Sequence, residues 1–144
     1  MNRPVKILQV EDSPEDRMMT AEAMREVSLL AELRCVATVT EALKLFADHD
    51  SWRPNLVLLD LSLPGASGFS LLRFIKDQVQ LQRLPVIVFS SSTAALDVDQ
   101  AYRLQANCYV AKPADFDKYL TFMNALKEFW LGFAQLPSPL AVSL

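Results

Sequence analysis

The 144-residue sequence has few of the residues that form disulfides or ligate transition metals, with only two cysteines and one histidine. Cys35 and Cys108 are far apart and lack a CxxC spacing, so we expect unpaired core thiols and neither a disulfide nor a zinc site. The single histidine, His49, lies between two aspartates and is expected to be a solvated loop residue. Histidine or cysteine catalysis is therefore not indicated.

A long apolar run, a basic segment and a targeting signal are also missing. No stretch reaches the roughly 20 apolar residues that cross a bilayer. The first residues, MNRPVKILQVED, reach acids after a very short apolar run, unlike a signal peptide. The formal net charge is -3 and the pI about 5.1, which indicates no surface for nucleic acid. We expect a soluble, cytoplasmic, one-domain protein that binds neither membrane nor nucleic acid.

Short apolar strands alternate with amphipathic helical segments five times along the chain. This alternation predicts an α/β fold, in which right-handed crossovers place helices on both faces of a parallel sheet. We predict a five-stranded doubly wound parallel sheet with the flavodoxin-like order 2-1-3-4-5. The predicted strands are residues 5–10, 33–37, 56–59, 86–89 and 108–111.

Capping residues and apolar spacing define the expected helices. The first helix should run to about Val27, the third over 69–79, and the last to about Leu131. The expected caps are Asp12 or Ser13 for the first helix, Thr38 or Thr40 for the second, and Asp115 for the last. The expected inner faces are Met18, Ala21, Met24 and Ala23 or Val27 on the first helix, and Phe69, Leu72, Ile75 and Val79 on the third.

Four of the predicted strands end on residues suited to chemistry, namely Glu11 and Asp12, Asp60, Ser90, and Lys112. Ligands of doubly wound sheets bind beyond the carboxyl ends of the strands, at the switch point. Three converging carboxylates would repel one another unless a cation lay among them, and an all-oxygen set suits Mg²⁺. Each residue also has an ordinary reading, as a helix cap, a solvated lysine or a turn serine. A single site accounts for all four strand ends together.

This set of groups suits transfer of a phosphoryl group onto a carboxylate. Asp60 ends a strand of four apolar residues, and an aspartate can be the nucleophile that forms an aspartyl phosphate. A bound cation and the ammonium group of Lys112 would offset charge on the phosphoryl oxygens. The hydroxyl group of Ser90 could donate a hydrogen bond to an arriving anion.

The segments VEDSPED, LLDLSLPGASG, PVIVFSSS and NCYVAKP, in that order, resemble the response-regulator receiver domain over residues 5 to about 131. The resemblance implies that Asp60 is the phospho-acceptor. It also implies that Asp12, Asp60 and the backbone carbonyl of Ser62 bind Mg²⁺, with Glu11 helping through water.

The same resemblance implies that Lys112 binds the phosphoryl group and precedes a cis bond to Pro113. Ser90 and Tyr109 would form a switch pair, in which Ser90 turns toward the phosphoryl group and Tyr109 turns inward. From the residue alone, Tyr109 is more simply a half-buried strand tyrosine. The protein would not be an enzyme toward other substrates, because it would catalyse only its own phosphorylation and slow dephosphorylation.

The end of the chain, ANCYVAKPADFDKYLTFMNALKEFWLGFAQLP, resembles the single-domain receivers paired with bacterial phytochrome histidine kinases. This implies a separate sensor histidine kinase, of the bacteriophytochrome type, as phosphohistidine donor. No output domain is expected after Leu131, so the chain would signal by binding another protein or act as a phosphate relay or sink. Ser62 and Ser92 occupy positions that vary in this family, and Ser90 keeps the hydroxyl where threonine is commoner.

The last helix carries more aromatic residues than one sheet-facing stripe needs. The surplus would leave an exposed apolar patch, which is typical of partner surfaces. We predict a receiver domain over 1–131 and a homodimer through the fourth helix, the fifth strand, the last helix and a C-terminal extension, 132–144. Alternatively, the extension folds back over the patch. The expected interface residues are Tyr102, Tyr109, Phe122, Phe129, Trp130 and Phe133.

Three other functions are open from the sequence. A phosphatase of the haloacid dehalogenase type also uses a strand-end aspartate, but it needs a second acid where Ser62 stands. A flavodoxin-like cofactor binder needs a hydroxyl- and glycine-rich loop where EDSP stands, and acids repel phosphate. A receiver-like interaction module that ignores phosphate would not respond to Mg²⁺ and a phosphoryl mimic.

Overall fold

The computed structural model describes residues 4–48 and 52–138, so the prediction for His49 lies outside the described residues. The strands are β1 (Val5–Val10), β2 (Ala31–Val36), β3 (Leu56–Leu59), β4 (Val86–Ser90) and β5 (Cys108–Ala111). The helices are α1 (Pro14–Glu26), α2 (Val39–Ala47), α3 (Gly68–Asp77), α4 (Ala95–Arg103) and α5 (Phe116–Ala125), which a π-helical segment (Leu126–Phe133) continues. All strands pair in parallel in the order 2-1-3-4-5, which confirms the predicted fold.

The sheet separates two apolar cores. In β3, Leu56 and Leu58 contribute to the core beneath α1 and α5, whereas Val57 and Leu59 contribute to the core beneath α2, α3 and α4. All four β3 side chains are fully buried, which explains why this strand is uniformly apolar. Asp60 follows directly, at the carboxyl end of this buried strand.

Helix α1 begins at the cap that the sequence allowed, because the Ser13 hydroxyl accepts a hydrogen bond from the Asp16 N–H at 3.2 Å. The helix turns Thr20 toward the sheet, where the Thr20 hydroxyl accepts from the buried amide of Gln9 at 3.0 Å. This orientation leaves Met18 on the outer face, 65% exposed, so its predicted inner position is wrong. The buried face of α1 is thus formed by Thr20, Ala23 and Met24, and the apolar spacing alone did not predict that Thr20 belongs to it.

Helix α3 buries Leu71, Leu72 and Ile75 and ends at Asp77. Gln78, which caps the C-terminus of the helix, has an extended backbone that turns the chain away from the helix axis. The predicted inner position of Val79 is therefore wrong, and its side chain is 79% exposed.

The last helix begins after Asp115, as predicted, and its helical backbone continues to Phe133, two residues beyond the expected end. Tyr119 and Phe122 both pack on Phe89 of β4, edge-on at 5.8 Å and stacked at 5.0 Å between ring centroids. The helix is therefore fixed to the sheet by aromatic contacts. Among the described residues, no helix has both the length and the apolar character needed to cross a membrane.

Candidate functional site

The parallel register brings the chemically suited strand ends together. The Asp60 N–H donates to the Val10 carbonyl at 3.0 Å, which places Asp60 beside Glu11 at neighbouring strand ends. The Lys112 N–H donates to the Ser90 carbonyl at 2.8 Å, which joins the ends of β4 and β5 in the same way. The residues predicted from four strand ends thus lie along one edge of the sheet.

Three carboxylates form a compact cluster at this edge. Oxygen atoms of Glu11, Asp12 and Asp60 all lie within 4.8 Å of one another. Glu11 and Asp60 are buried, at 1% and 5% exposure, whereas Asp12 faces solvent. The Ser62 N–H donates to Asp60 Oδ1 at 3.2 Å, so the chain after β3 folds back over the carboxylate. A buried all-oxygen cluster with one open side fits a hard divalent cation that retains some water ligands.

Lys112 supplies the positive charge of the site. Its Nζ lies 2.6 Å from Glu11 Oε1, 2.8 Å from Asp16 Oδ2 and 2.9 Å from Asp60 Oδ2. Burial lowers the pKa of Lys112, but the hydrogen bonds to Asp16, Glu11 and Asp60 outweigh it, so the net shift is upward. The lysine therefore stays charged, and a single ammonium group faces an excess of acids.

Burial and the neighbouring charges of the pocket act together on the pKa of Glu11. The pKa of Glu11 is raised to about 7, because burial and the nearby charge of Asp60 raise it by more than the hydrogen bond from Lys112 lowers it. A divalent cation among these carboxylates would favour their ionised forms. The electrostatics of the pocket therefore suit occupancy by a further cation.

The predicted switch residues lie on either side of the loop that follows β4. The Ser90 side chain is fully buried, and its hydroxyl accepts from the Ser92 N–H at 3.4 Å. The Tyr109 hydroxyl donates to the Ser92 carbonyl at 2.8 Å. Tyr109 is half-buried, and its N–H donates to the Tyr102 hydroxyl at 3.1 Å. Both residues of the pair thus contact Ser92, while a switching motion stays a prediction.

Two features of the site differ from the sequence-based expectation. No peptide bond among the described residues is cis, so the Lys112–Pro113 bond adopts the trans form that X–Pro bonds generally prefer. Asp16, which contacts Lys112, is absent from the predicted site. The available signal is its place in the first turn of α1, close in sequence to Glu11 and Asp12, but this place says nothing about Lys112 without the tertiary structure.

The backbone of Gly68 lies in close contact with the backbone of Asp60 and Leu61. A Cβ atom at Gly68 would lie 2.2 Å from the Asp60 carbonyl oxygen and 2.8 Å from Leu61 Cα. The Gly68 N–H also donates to the Leu61 carbonyl at 3.0 Å. Helix α3 can start this close to the end of β3 because its first residue has no side chain.

The predicted interface residues divide into two groups. Phe122 and Trp130 pack against the α1/α5 core, so the exposed aromatic surface is smaller than the sequence suggested. The half-buried members are Tyr109, Phe122 and Trp130. The exposed members are Tyr102 at 47%, Phe129 at 57% and Phe133 at 81%.

A family profile, a curated relative and a solved structure all match this chain to response regulators. The family profile described as response regulator receiver domain matches residues 7–124. Response regulator Rcp1 of Synechocystis sp. is 33% identical over 141 residues, which cover 95% of this chain and 96% of Rcp1. The crystal structure of Mn²⁺-bound Rcp1 matches with a TM-score of 0.86 over 94% of this chain and 100% of that one.

Two further solved structures share the fold and part of the sequence. The phosphorylated cyanobacterial phytochrome response regulator RcpA matches with a TM-score of 0.87 and 35% identity, over 94% of this chain and 99% of that one. The bacteriophytochrome response regulator RtBRR matches with a TM-score of 0.71 and 32% identity, over 94% and 84%. The protein belongs to the response regulator receiver domain family, and it is homologous to response regulators of phytochrome systems.

Proposed function

We propose that the protein accepts a phosphoryl group on Asp60 from the phosphohistidine of a sensor histidine kinase and then signals by binding other proteins. Receiver domains in general are signalling modules that bind Mg²⁺ or Mn²⁺ in an acidic pocket. The observation that carries the proposal is the contact of 2.9 Å between Lys112 Nζ and Asp60 Oδ2 inside a pocket of buried acids. A carboxylate nucleophile and a cation for the arriving oxygens thus lie side by side.

The proposed transfer exchanges one phosphorus bond for another. A carboxylate oxygen of Asp60 forms a bond to phosphorus, and the phosphorus–nitrogen bond of phosphohistidine breaks with its electron pair left on the imidazole. Lys112 offsets charge on the phosphoryl oxygens during this step. The phosphoryl group would later be lost by slow hydrolysis. Water attacks phosphorus, the bond from phosphorus to the Asp60 oxygen breaks, and inorganic phosphate and the Asp60 carboxylate result.

The acidic cluster would hold Mg²⁺ through Asp12, Asp60 and the Ser62 carbonyl, with Glu11 helping through water. The compact oxygen cluster supports this set, and Mn²⁺ in the structure of the relative Rcp1 supports the choice of a divalent ion. When bound, Mg²⁺ would offset negative charge on the phosphoryl oxygens. The buried side of the cluster limits access of water to Asp60, whereas the exposed side at Asp12 leaves a route for the donor.

The proposed readout of phosphorylation starts at Ser90. Its buried hydroxyl would turn toward the phosphoryl group and release the Ser92 N–H that it now accepts from. Tyr109 donates to the carbonyl of the same Ser92, so a movement of this loop would free its hydroxyl to turn inward. The shared contact with Ser92 supports the switch pair that the sequence resemblance implied.

The proposed donor is a histidine kinase of the bacteriophytochrome type. RcpA and RtBRR are phytochrome response regulators by description, and they share 35% and 32% of their residues with this chain over most of its length. A cytoplasmic location is part of the proposal, and the free thiols of Cys35 and Cys108 support it.

The function is tested by intact mass after incubation with Mg²⁺ and a small phosphodonor. We expect a single phosphate adduct on the wild-type chain and none on Asp60→Asn, because an amide is a far weaker nucleophile than a carboxylate. Asp77→Asn, at the end of α3, is a matched control that should keep the adduct. An adduct that persists in Asp60→Asn would contradict the proposal.

We further propose a homodimer through α4, β5, the last helix and the C-terminal extension. Phe129 and Phe133 project from the π-helical segment at 57% and 81% exposure. Exposed aromatic side chains one helical turn apart are common anchors of interfaces. Tyr102 and Tyr109, joined by a hydrogen bond of 3.1 Å, would extend this surface onto α4 and β5.

The contribution of the extension to the dimer is tested by truncation and light scattering. A chain that ends after Leu131 loses Phe133 and is expected to shift toward the monomer mass. A chain that ends after Ser138 keeps Phe133 and is the matched control, expected to remain a dimer. If the chain that ends after Leu131 kept the mass of a dimer, the extension would be excluded from the interface.

A further inference from the structure

Asp16 stands apart from the other acids that contact Lys112. It lies on α1 and accepts from Lys112 Nζ through Oδ2 at 2.8 Å, yet it does not belong to the cluster formed by Glu11, Asp12 and Asp60. Its side chain is 32% exposed, compared with 1% for Glu11 and 5% for Asp60. Among the described residues, Asp16 is therefore the ion-pair partner of Lys112 that a cation in the cluster would leave free.

The second oxygen of Asp16 faces a buried tyrosine. The Tyr119 hydroxyl donates toward Asp16 Oδ1 at 3.5 Å, a long hydrogen bond, from a side chain that is 1% exposed. Burial raises the pKa of Tyr119, and the charge of Asp16 adds to the rise, so the hydroxyl keeps its proton. The tyrosine ring is itself held edge-on against Phe89. The aromatic contact thus fixes a hydroxyl donor beside Asp16.

Occupation of the acidic cluster would change what holds Lys112. Glu11 and Asp60 attract the ammonium group in this structure, but a divalent cation would take up much of their charge. The lysine side chain has a flexible four-carbon stem, so it needs another partner to stay in place. Asp16 is placed to be that partner, because it contacts the ammonium group from outside the cluster.

We propose that Asp16 is a positioning residue, which holds the Lys112 ammonium group over Asp60 while the cation site is filled, and that Tyr119 orients Asp16 for this task. The proposal rests on the proposed phosphorylation of Asp60, which it deepens by naming what keeps the essential lysine in place. The chain of contacts runs from Tyr119 on α5, through Asp16 on α1, to Lys112 after β5.

The test measures phosphorylation from a small phosphodonor at increasing Mg²⁺ concentrations. Asp16→Asn is expected to lower the maximal rate at saturating Mg²⁺ by about fivefold, as for loss of a partly exposed ion pair in the transition state. The Mg²⁺ concentration at half-saturation should match that of the control Glu15→Gln, which removes the same charge from the same first turn of α1. Glu15 makes no ion pair among the described residues.

Tyr119→Phe isolates the hydroxyl group, because it keeps the ring against Phe89. We expect a loss of maximal rate of about twofold, and a double variant with Asp16→Asn that is no slower than Asp16→Asn alone. A purely structural role would instead lower the unfolding temperature of each variant and leave its maximal rate at the level of Glu15→Gln.

The outcomes separate this inference from the function on which it rests. If wild type forms the Asp60 adduct and Asp16→Asn reaches the same maximal rate as Glu15→Gln, the positioning role is overturned and the proposed function stands. Weaker Mg²⁺ binding in Asp16→Asn than in Glu15→Gln, with an equal maximal rate, would make Asp16 a metal-site residue and also overturn it. If wild type forms no adduct, both proposals are wrong.

Discussion

Replacement of Lys112 by methionine is expected to slow phosphorylation of Asp60 by about 10²- to 10³-fold at saturating Mg²⁺, the usual effect of removing one preorganised group that stabilises developing charge. Methionine keeps much of the apolar stem and removes the ammonium group. In the structure this group contacts Asp60 at 2.9 Å with only 9% of the side chain exposed, so solvent cannot replace it. The measurement is the rate of adduct formation by intact mass.

For the same Lys112→Met variant, we expect the affinity for Mg²⁺ to rise while the rate of phosphorylation falls. Lys112 neutralises part of the charge of Glu11 and Asp60, so its removal should tighten Mg²⁺ binding even as phosphoryl transfer slows. Lys118→Met, on the exposed face of α5, is the matched control and should change neither quantity. A Lys112→Met variant that loses Mg²⁺ binding as well as rate would indicate a collapsed site, which contradicts the role assigned to the lysine.

Replacement of Gly68 by alanine is expected to destabilise the fold by about 1–3 kcal/mol, the usual cost of overpacking. The new Cβ would approach the Asp60 carbonyl oxygen to 2.2 Å and Leu61 Cα to 2.8 Å, and these backbone atoms cannot move aside by a side-chain rotation. The unfolding temperature should fall by roughly 2–8 °C per kcal/mol in a domain near this size. Because the clash displaces Asp60, the rate of phosphorylation should fall as well.

Gly132→Ala provides the control for the glycine substitution. A Cβ there would lie 3.4 Å from the Lys127 carbonyl oxygen, and the residue is exposed within the helical segment. Alanine should therefore be neutral or slightly stabilising at Gly132. Equal unfolding temperatures for the two variants would show that α3 has room to move away from Asp60, contrary to our account.

The strand ends could be predicted from the sequence because each combines a short apolar run with an abrupt polar stop. β3 is the clearest example, since LVLL is buried on both faces and the apolar run stops at the carboxylate of Asp60. The parallel order then places Asp60 beside Glu11 without any knowledge of side-chain packing. This explains why the acidic cluster followed from the sequence alone.

The errors arise where the outcome depends on tertiary contacts. Met18 is as apolar as Met24, so the residue types do not reveal that α1 buries Thr20 and Met24 and leaves Met18 exposed. Asp16 lies in the first turn of α1, where acids are favoured for the helix alone, and its contact with Lys112 spans 96 residues of sequence. No local pattern carries that information.

The surplus of aromatic residues in the last helix shows the same limit. The rings of Phe122 and Tyr119 pack against Phe89, so they do not contribute to the exposed surface. A count of apolar positions does not reveal this. In the π-helical segment, Leu126 and Trp130 take the positions that pack against the α1/α5 core, whereas Phe129 and Phe133 are exposed.

Several acids lie close to Asp60, and the proposed function requires that Asp60 itself carries the phosphoryl group. Borohydride reduces an acyl phosphate to an alcohol, so treatment of the phosphorylated protein followed by peptide mass mapping identifies the modified residue. We expect conversion at Asp60 to homoserine, dependent on Mg²⁺ and the phosphodonor. Conversion at Asp12 or Asp16 instead, or at no carboxylate, would contradict the account.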